Sequence, residues 1–134
     1  MLVYSSSEKS LTVIQIRAPV RRGAGQIFTH SLMEFIRNCN FKSIILLTGA
    51  DSSRRIDSEI RSIPIRYLEI GGENPHTLTI QKLGIPSMNQ LEIGRPGIPG
   101  GGTSAWICNE AISEKMGILI LVWFTIEGGK KYVK

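Results

Sequence analysis

The chain has 134 residues, 42% of them hydrophobic and 20% charged, which suits one globular domain and excludes a disordered segment. Its net charge of +5 is scattered over short clusters (Arg17, Arg21 and Arg22; Arg54 and Arg55; Lys130, Lys131 and Lys134). Nucleic acid recognition calls for a denser basic face with stacking aromatics, so a nucleic-acid partner is not expected.

In chain order, residues 5–9 are polar where a signal peptide would need an apolar core. Residues 10–18 interleave Leu11, Val13, Ile14 and Ile16 with Thr12, Gln15 and Arg17, predicting a largely buried strand that Pro19 ends. Residues 26–38 place Ile27, Leu32, Phe35 and Ile36 at helical spacing, and Asn38-Cys39-Asn40 forms the stop. The apolar run of residues 43–49 then predicts a strand buried on both faces. Strand, helix and strand together predict one right-handed βαβ unit.

Beyond Gly49, residues 49–53 form a loop at the carboxyl end of a strand, where ligands and partners of open α/β sheets sit. Residues 54–61 are polar, a helical turn or an exposed loop, and residues 63–68 resume an extended pattern after Pro64. Gly71-Gly72-Glu73-Asn74-Pro75 is a break, residues 77–83 a weak helix, and residues 84–92 a loop or short strand. A turn of two prolines and three consecutive glycines, Pro96-Gly97-Ile98-Pro99-Gly100-Gly101-Gly102, precedes a predicted helix over residues 103–115 that Thr103 or Ser104 can cap. Residues 116–126 predict the last buried strand; at about half the ~20 residues of a bilayer span, they predict no membrane segment. The fold class expected is α/β, and one domain is expected to cover residues 1–134.

Few residues suggest chemistry. The glycine turn has no lysine for a phosphate and lacks the spacing of a dinucleotide fingerprint, so it reads as a tight structural passage. His30 and His76 have no carboxylate or cysteine at triad or metal spacing. Asp51-Ser52-Ser53 is ordinary turn chemistry. Cys39 and Cys108 lie far apart and read as small buried hydrophobes of a reduced protein. No catalytic, cofactor-binding or metal-binding residue is assigned. The competing reading is a small hydrolase or phosphorylase-like enzyme whose anion site uses residues 49–53 and the glycine turn.

Several segments resemble a known family. Leu11-Thr12-Val13-Ile14-Gln15-Ile16-Arg17, the helix ending near Cys39, Ser43-Ile44-Ile45-Leu46-Leu47-Thr48 and the stretch from Glu59 to Tyr67 follow one another as in the proteasome assembly chaperone 2 family. The second block, Ile98-Pro99-Gly100-Gly101-Gly102 followed by a helix and Ile118 to Gly128, resembles the same family's later segments. The resemblance covers nearly the whole chain and is weakest over residues 70–94. It implies a three-layer α/β/α domain around a mostly parallel sheet, incomplete here. It further implies a non-catalytic subunit that pairs with proteasome assembly chaperone 1 and holds α-subunits of the 20S proteasome, in cytoplasm and nucleus. Pro99, Gly100, Gly101 and Gly102 are then a structural turn that marks the family, and Arg54, Arg55, Arg61 and Arg66 are expected to face partners. The chain is expected to be truncated at both ends relative to the family, with residues 129–134 a non-native tail read through from a gene-model boundary. Tyr132 lies third from the end, so the family's docking tail is not assigned to it.

Overall fold

The computed structural model describes residues 1–52, 62–88 and 102–125. Its elements are β1 (Leu2–Ser6), β2 (Leu11–Gln15), α1 (Gly25–Asn38), β3 (Ile44–Asp51), β4 (Ile65–Ile70), α2 (Thr77–Lys82), α3 (Thr103–Ser113) and β5 (Ile118–Thr125). The α/β class expected from the sequence holds. The main sheet has the order β3-β5-β4, with β3 parallel and β4 antiparallel to β5, so it is mixed rather than mostly parallel among the described strands.

β5 is the centre because it is the most apolar segment. Ile118, Ile120, Val122 and Phe124 are buried on one face, in register with Ile44, Leu46, Thr48 and Ala50 of β3 and, up to Val122, with Ile70, Leu68 and Arg66 of β4. The aligned positions share a face because side chains alternate along a strand. The core on this side takes Leu32 and Met33 from α1 and Ile107, Cys108 and Ala111 from α3.

The two helices run side by side, and each returns directly into a strand of the parallel pair. Just past α1, Asn40 turns the chain with φ 52° toward β3; just past α3, Lys115 does the same with φ 52° toward β5. At α3 the amide of Lys115 donates to the carbonyl of Ile112 and that of Met116 to Ala111, the paired bonds of a left-handed helix terminus. Gly71, just after β4 with φ 71°, lies against this terminus, and a Cβ there would stand 2.1 Å from the Met116 carbonyl oxygen.

The N-terminal region departs from expectation. β2 does not enter the main sheet; it pairs antiparallel with β1 in a separate hairpin turned at Ser10, φ 49°. The predicted βαβ unit is therefore replaced by two helix-to-strand units, α1–β3 and α3–β5. β2 is also not largely buried. Ile14 packs on the core, while Leu11 and Val13 are exposed with Leu2 and Tyr4 of β1, since no described element covers that face. β1 itself was masked in the sequence by the polar residues that follow it.

Candidate interaction surface

Three places gather side chains that could carry function. The first is the carboxyl end of the β3–β5 pair, where the sequence located a possible anion site. Thr48 Oγ1 lies 2.6 Å from Ser104 Oγ, joining the end of β3 to the first turn of α3. Gly102, φ 55°, is the residue before that helix, and no side-chain hydroxyl caps it; Ser104, expected as a capping residue, bonds to Thr48 instead. Arg66, expected to face a partner, is only 3% exposed. Its guanidinium donates to the carbonyls of Ile63 at 2.8 Å and Ile65 at 2.9 Å and to Ser62 Oγ. A buried guanidinium requires several acceptors, and here they include two backbone carbonyls and a serine hydroxyl at the entry to β4. These groups hold the strand ends together. Arg54, Arg55, Arg61, Pro99, Gly100 and Gly101 lie outside the described residues.

The second place is the opposite end of the sheet. Asn74, buried, donates from Nδ2 to the carbonyl of Ile44 at 3.0 Å, and its backbone amide donates to Glu69 Oε2 at 2.8 Å. Thr77 Oγ1 also bonds to Glu69 Oε2, and His76 N donates to Asn74 Oδ1 at 3.0 Å. His76 Nε2 meets Ser43 Oγ at 3.1 Å, a pairing across 33 positions that sequence spacing could not reveal. The cluster fastens the β4–α2 connection to the start of β3.

The third place is apolar. The face of the main sheet opposite α1 and α3 carries Ile45 and Leu47 of β3, Leu119, Leu121 and Trp123 of β5, and Ile65, Tyr67 and Glu69 of β4. α2 covers only its β4 side, where Gln81 Nε2 donates to the Tyr67 hydroxyl at 2.8 Å and Thr77 meets Glu69. Toward β3 no described element covers it, although Leu119 itself is fully buried. Ile45 is 45% exposed, Leu47 73% and Trp123 52%. The sequence predicted β3 to be buried on both faces, but only Ile44, Leu46, Thr48 and Ala50 turn toward the helices. Gly49, opposite Trp123, adds no side chain to the strip. Neighbouring exposed apolar side chains are a feature that interaction surfaces share. β3 is also an edge strand among the described residues, with no charge or proline from Ile44 to Ala50 to blunt it.

Both cysteines are free. Cys108 is buried, which pushes its thiol up to about 11, whereas Cys39 is exposed rather than buried as expected, because it caps α1 on the outside. Among the described residues, no group of three or more His, Cys, Asp or Glu could hold a metal ion. No described helix is long and apolar enough to cross a membrane.

No family model matches the chain. Curated proteins do. Proteasome assembly chaperone 2 of Nematostella vectensis is 29% identical over 140 residues, covering 94% of this chain and 56% of its own length. Those of Danio rerio and Mus musculus are 26% and 29% identical, each again covering 94% of this chain, and 52% and 51% of their own lengths. The chain is similar to proteins named proteasome assembly chaperone 2. It spans about half the length of the curated relatives it matches. The resemblance read from Leu11–Arg17, Ser43–Thr48 and the Ile98–Gly102 block is thus borne out. A crystal structure of a protein with unknown function from Thermoplasma acidophilum shares the fold, with a TM-score of 0.62 and 18% identity over 92% of this chain and 45% of that one.

Proposed function

We propose that the chain is a non-catalytic chaperone subunit that assists assembly of the 20S proteasome α-ring as a heterodimer with proteasome assembly chaperone 1, acting in cytoplasm and nucleus. The observation that carries the reading is similarity to seven proteins named proteasome assembly chaperone 2 across 94% of the chain. The structure supports a role through surface complementarity in two ways. The polar clusters at both ends of the main sheet bond to the chain's own backbone and side chains, and the exposed Ile45–Leu47–Trp123 strip offers an apolar surface to a partner. Such a surface gains affinity by removing apolar area from water, at about 25 cal/mol per Å² before the costs of association. No cofactor, nucleic acid or membrane enters this role.

Co-expression tests it. The tagged chain is produced with proteasome assembly chaperone 1 and 20S α-subunits, captured, and sized by gel filtration. A stoichiometric complex with the partner chaperone that also retains α-subunits is the expected result. Elution of the tagged chain alone, with both candidates in the flow-through, would refute the proposal.

A further inference from the structure

Two ion pairs cross the seam between α1 and α3. His30 Nδ1 lies 2.8 Å from Glu110 Oε1, and Arg37 Nη2 lies 3.1 Å from Glu114 Oε2. His30 and Arg37 are two helical turns apart on α1, while Glu110 and Glu114 are one turn apart on α3, so the pairs bracket the outer side of one helix interface. At the start of α1, the Trp106 indole of α3 occupies the space a Cβ on Gly25 would take, 2.7 Å from its Nε1. Of the two cations, arginine keeps its charge at every accessible pH; histidine is the side chain that changes charge near neutrality.

We propose that the His30–Glu110 pair makes the α1–α3 seam proton-sensitive, an interhelical clip that tightens when the imidazole is protonated and loosens when it is neutral. The groups facing the imidazole are Glu110 from α3 and Glu34 and Arg37 from its own helix. The hydrogen bond and charge of Glu110 favour imidazolium most strongly and Glu34 adds to them, while partial desolvation and Arg37 oppose it; the balance raises His30 above its ordinary value. A raised histidine contributes stability that is fully present below the unfolded-state value of about 6.5 and is lost as pH rises through the higher folded-state value. Arg37–Glu114 is indifferent to that change and holds the far end of the seam. Because the His30 side chain is 63% exposed, solvent screens the pair and the effect is local and graded.

Hydrogen exchange of α1 and α3 amides, corrected for the intrinsic pH dependence, measures the seam from about pH 5.5 to 8.5, alongside the titration of His30 by NMR. In the unaltered chain His30 titrates above its free value, and the opening equilibrium of the two helices rises about two- to fivefold across that titration. Glu110→Gln lowers the His30 titration point and flattens the exchange profile. His30→Lys, with a fixed positive charge, keeps the seam closed throughout, and His30→Gln leaves it open throughout. The proposal is overturned if His30 titrates identically with and without Glu110, or if His30→Lys and His30→Gln show the same pH-dependent opening as the unaltered chain.

Discussion

Gly71→Ala tests how closely the backbone is packed beneath the sheet. Two costs act there. The residue has φ 71°, and a Cβ in that left-handed region costs roughly 1–2 kcal/mol. A Cβ would also stand 2.1 Å from the Met116 carbonyl oxygen and 2.7 Å from that of Ala111, both backbone atoms that cannot rotate away. Relieving the clash displaces the α3 terminus, including the 2.9 Å bond from the Met116 amide to the Ala111 carbonyl. Overpacking of this kind costs about 1–3 kcal/mol and the hydrogen bond about 1 more. The sum, roughly 3–6 kcal/mol, is a large part of the 5–15 kcal/mol that keeps a domain folded. Gly84 is the matched control. Its φ is 77°, yet nothing lies within 4 Å of its Cβ position, so Gly84→Ala carries only the conformational cost of about 1–2 kcal/mol. Urea unfolding of both variants should separate them by roughly 2–4 kcal/mol, with Gly71→Ala mostly insoluble if its stability is exhausted. Equal destabilisation of the two variants would refute the close-approach argument and leave backbone angle as the whole effect.

Other outcomes follow from the same geometry. Asn74→Ala removes the donor to the Ile44 carbonyl and the acceptor for His76 N, and should cost about 1–3 kcal/mol in thermal or urea unfolding; a loss below a few tenths would mean water replaces the side chain at no cost. At about pH 8 a thiol reagent should label Cys39 quickly and Cys108 only after denaturant is added, because burial holds the Cys108 thiol near 11; rapid labelling of both would show that the α3 side of the core opens readily. Leu47→Glu, on a side chain 73% exposed, should change folding stability by no more than about 1 kcal/mol while improving solubility. A collapse of the fold instead would place Leu47 in a core.

Much of the fold was legible. The spacing of Leu32, Phe35 and Ile36 and the Asn38-Cys39-Asn40 stop locate α1, and the apolar run of residues 116–126 predicts the last buried strand, which the structure shows as β5. These are local patterns, and burial along most of a central strand writes itself into consecutive positions. What stayed hidden depends on contacts distant in sequence. Nothing local distinguishes an apolar strand with both faces covered from one with a bare face, so Ile45 and Leu47 read as core. β2 looked buried for the same reason, although only Ile14 reaches the core. His30 and Glu110 are 80 positions apart, so no local pattern joins them. Arg66 reads as a surface charge because arginines usually are; its acceptors include the carbonyls of Ile63 and Ile65, groups that every residue has and no sequence motif announces. The glycine turn carries part of the resemblance to the proteasome assembly chaperone 2 family, while its conformation falls outside the described residues save for Gly102.

The most direct test of the account pairs the capture experiment with the exposed strip. The unaltered chain and a Leu47→Glu, Trp123→Glu variant, shown by circular dichroism to be equally folded, are each co-expressed with proteasome assembly chaperone 1 and 20S α-subunits. The account predicts a stable complex for the unaltered chain and at least about a tenfold loss of capture for the variant, the cost of placing charges in an apolar contact. Equal capture by the two chains, or none by either, would contradict it.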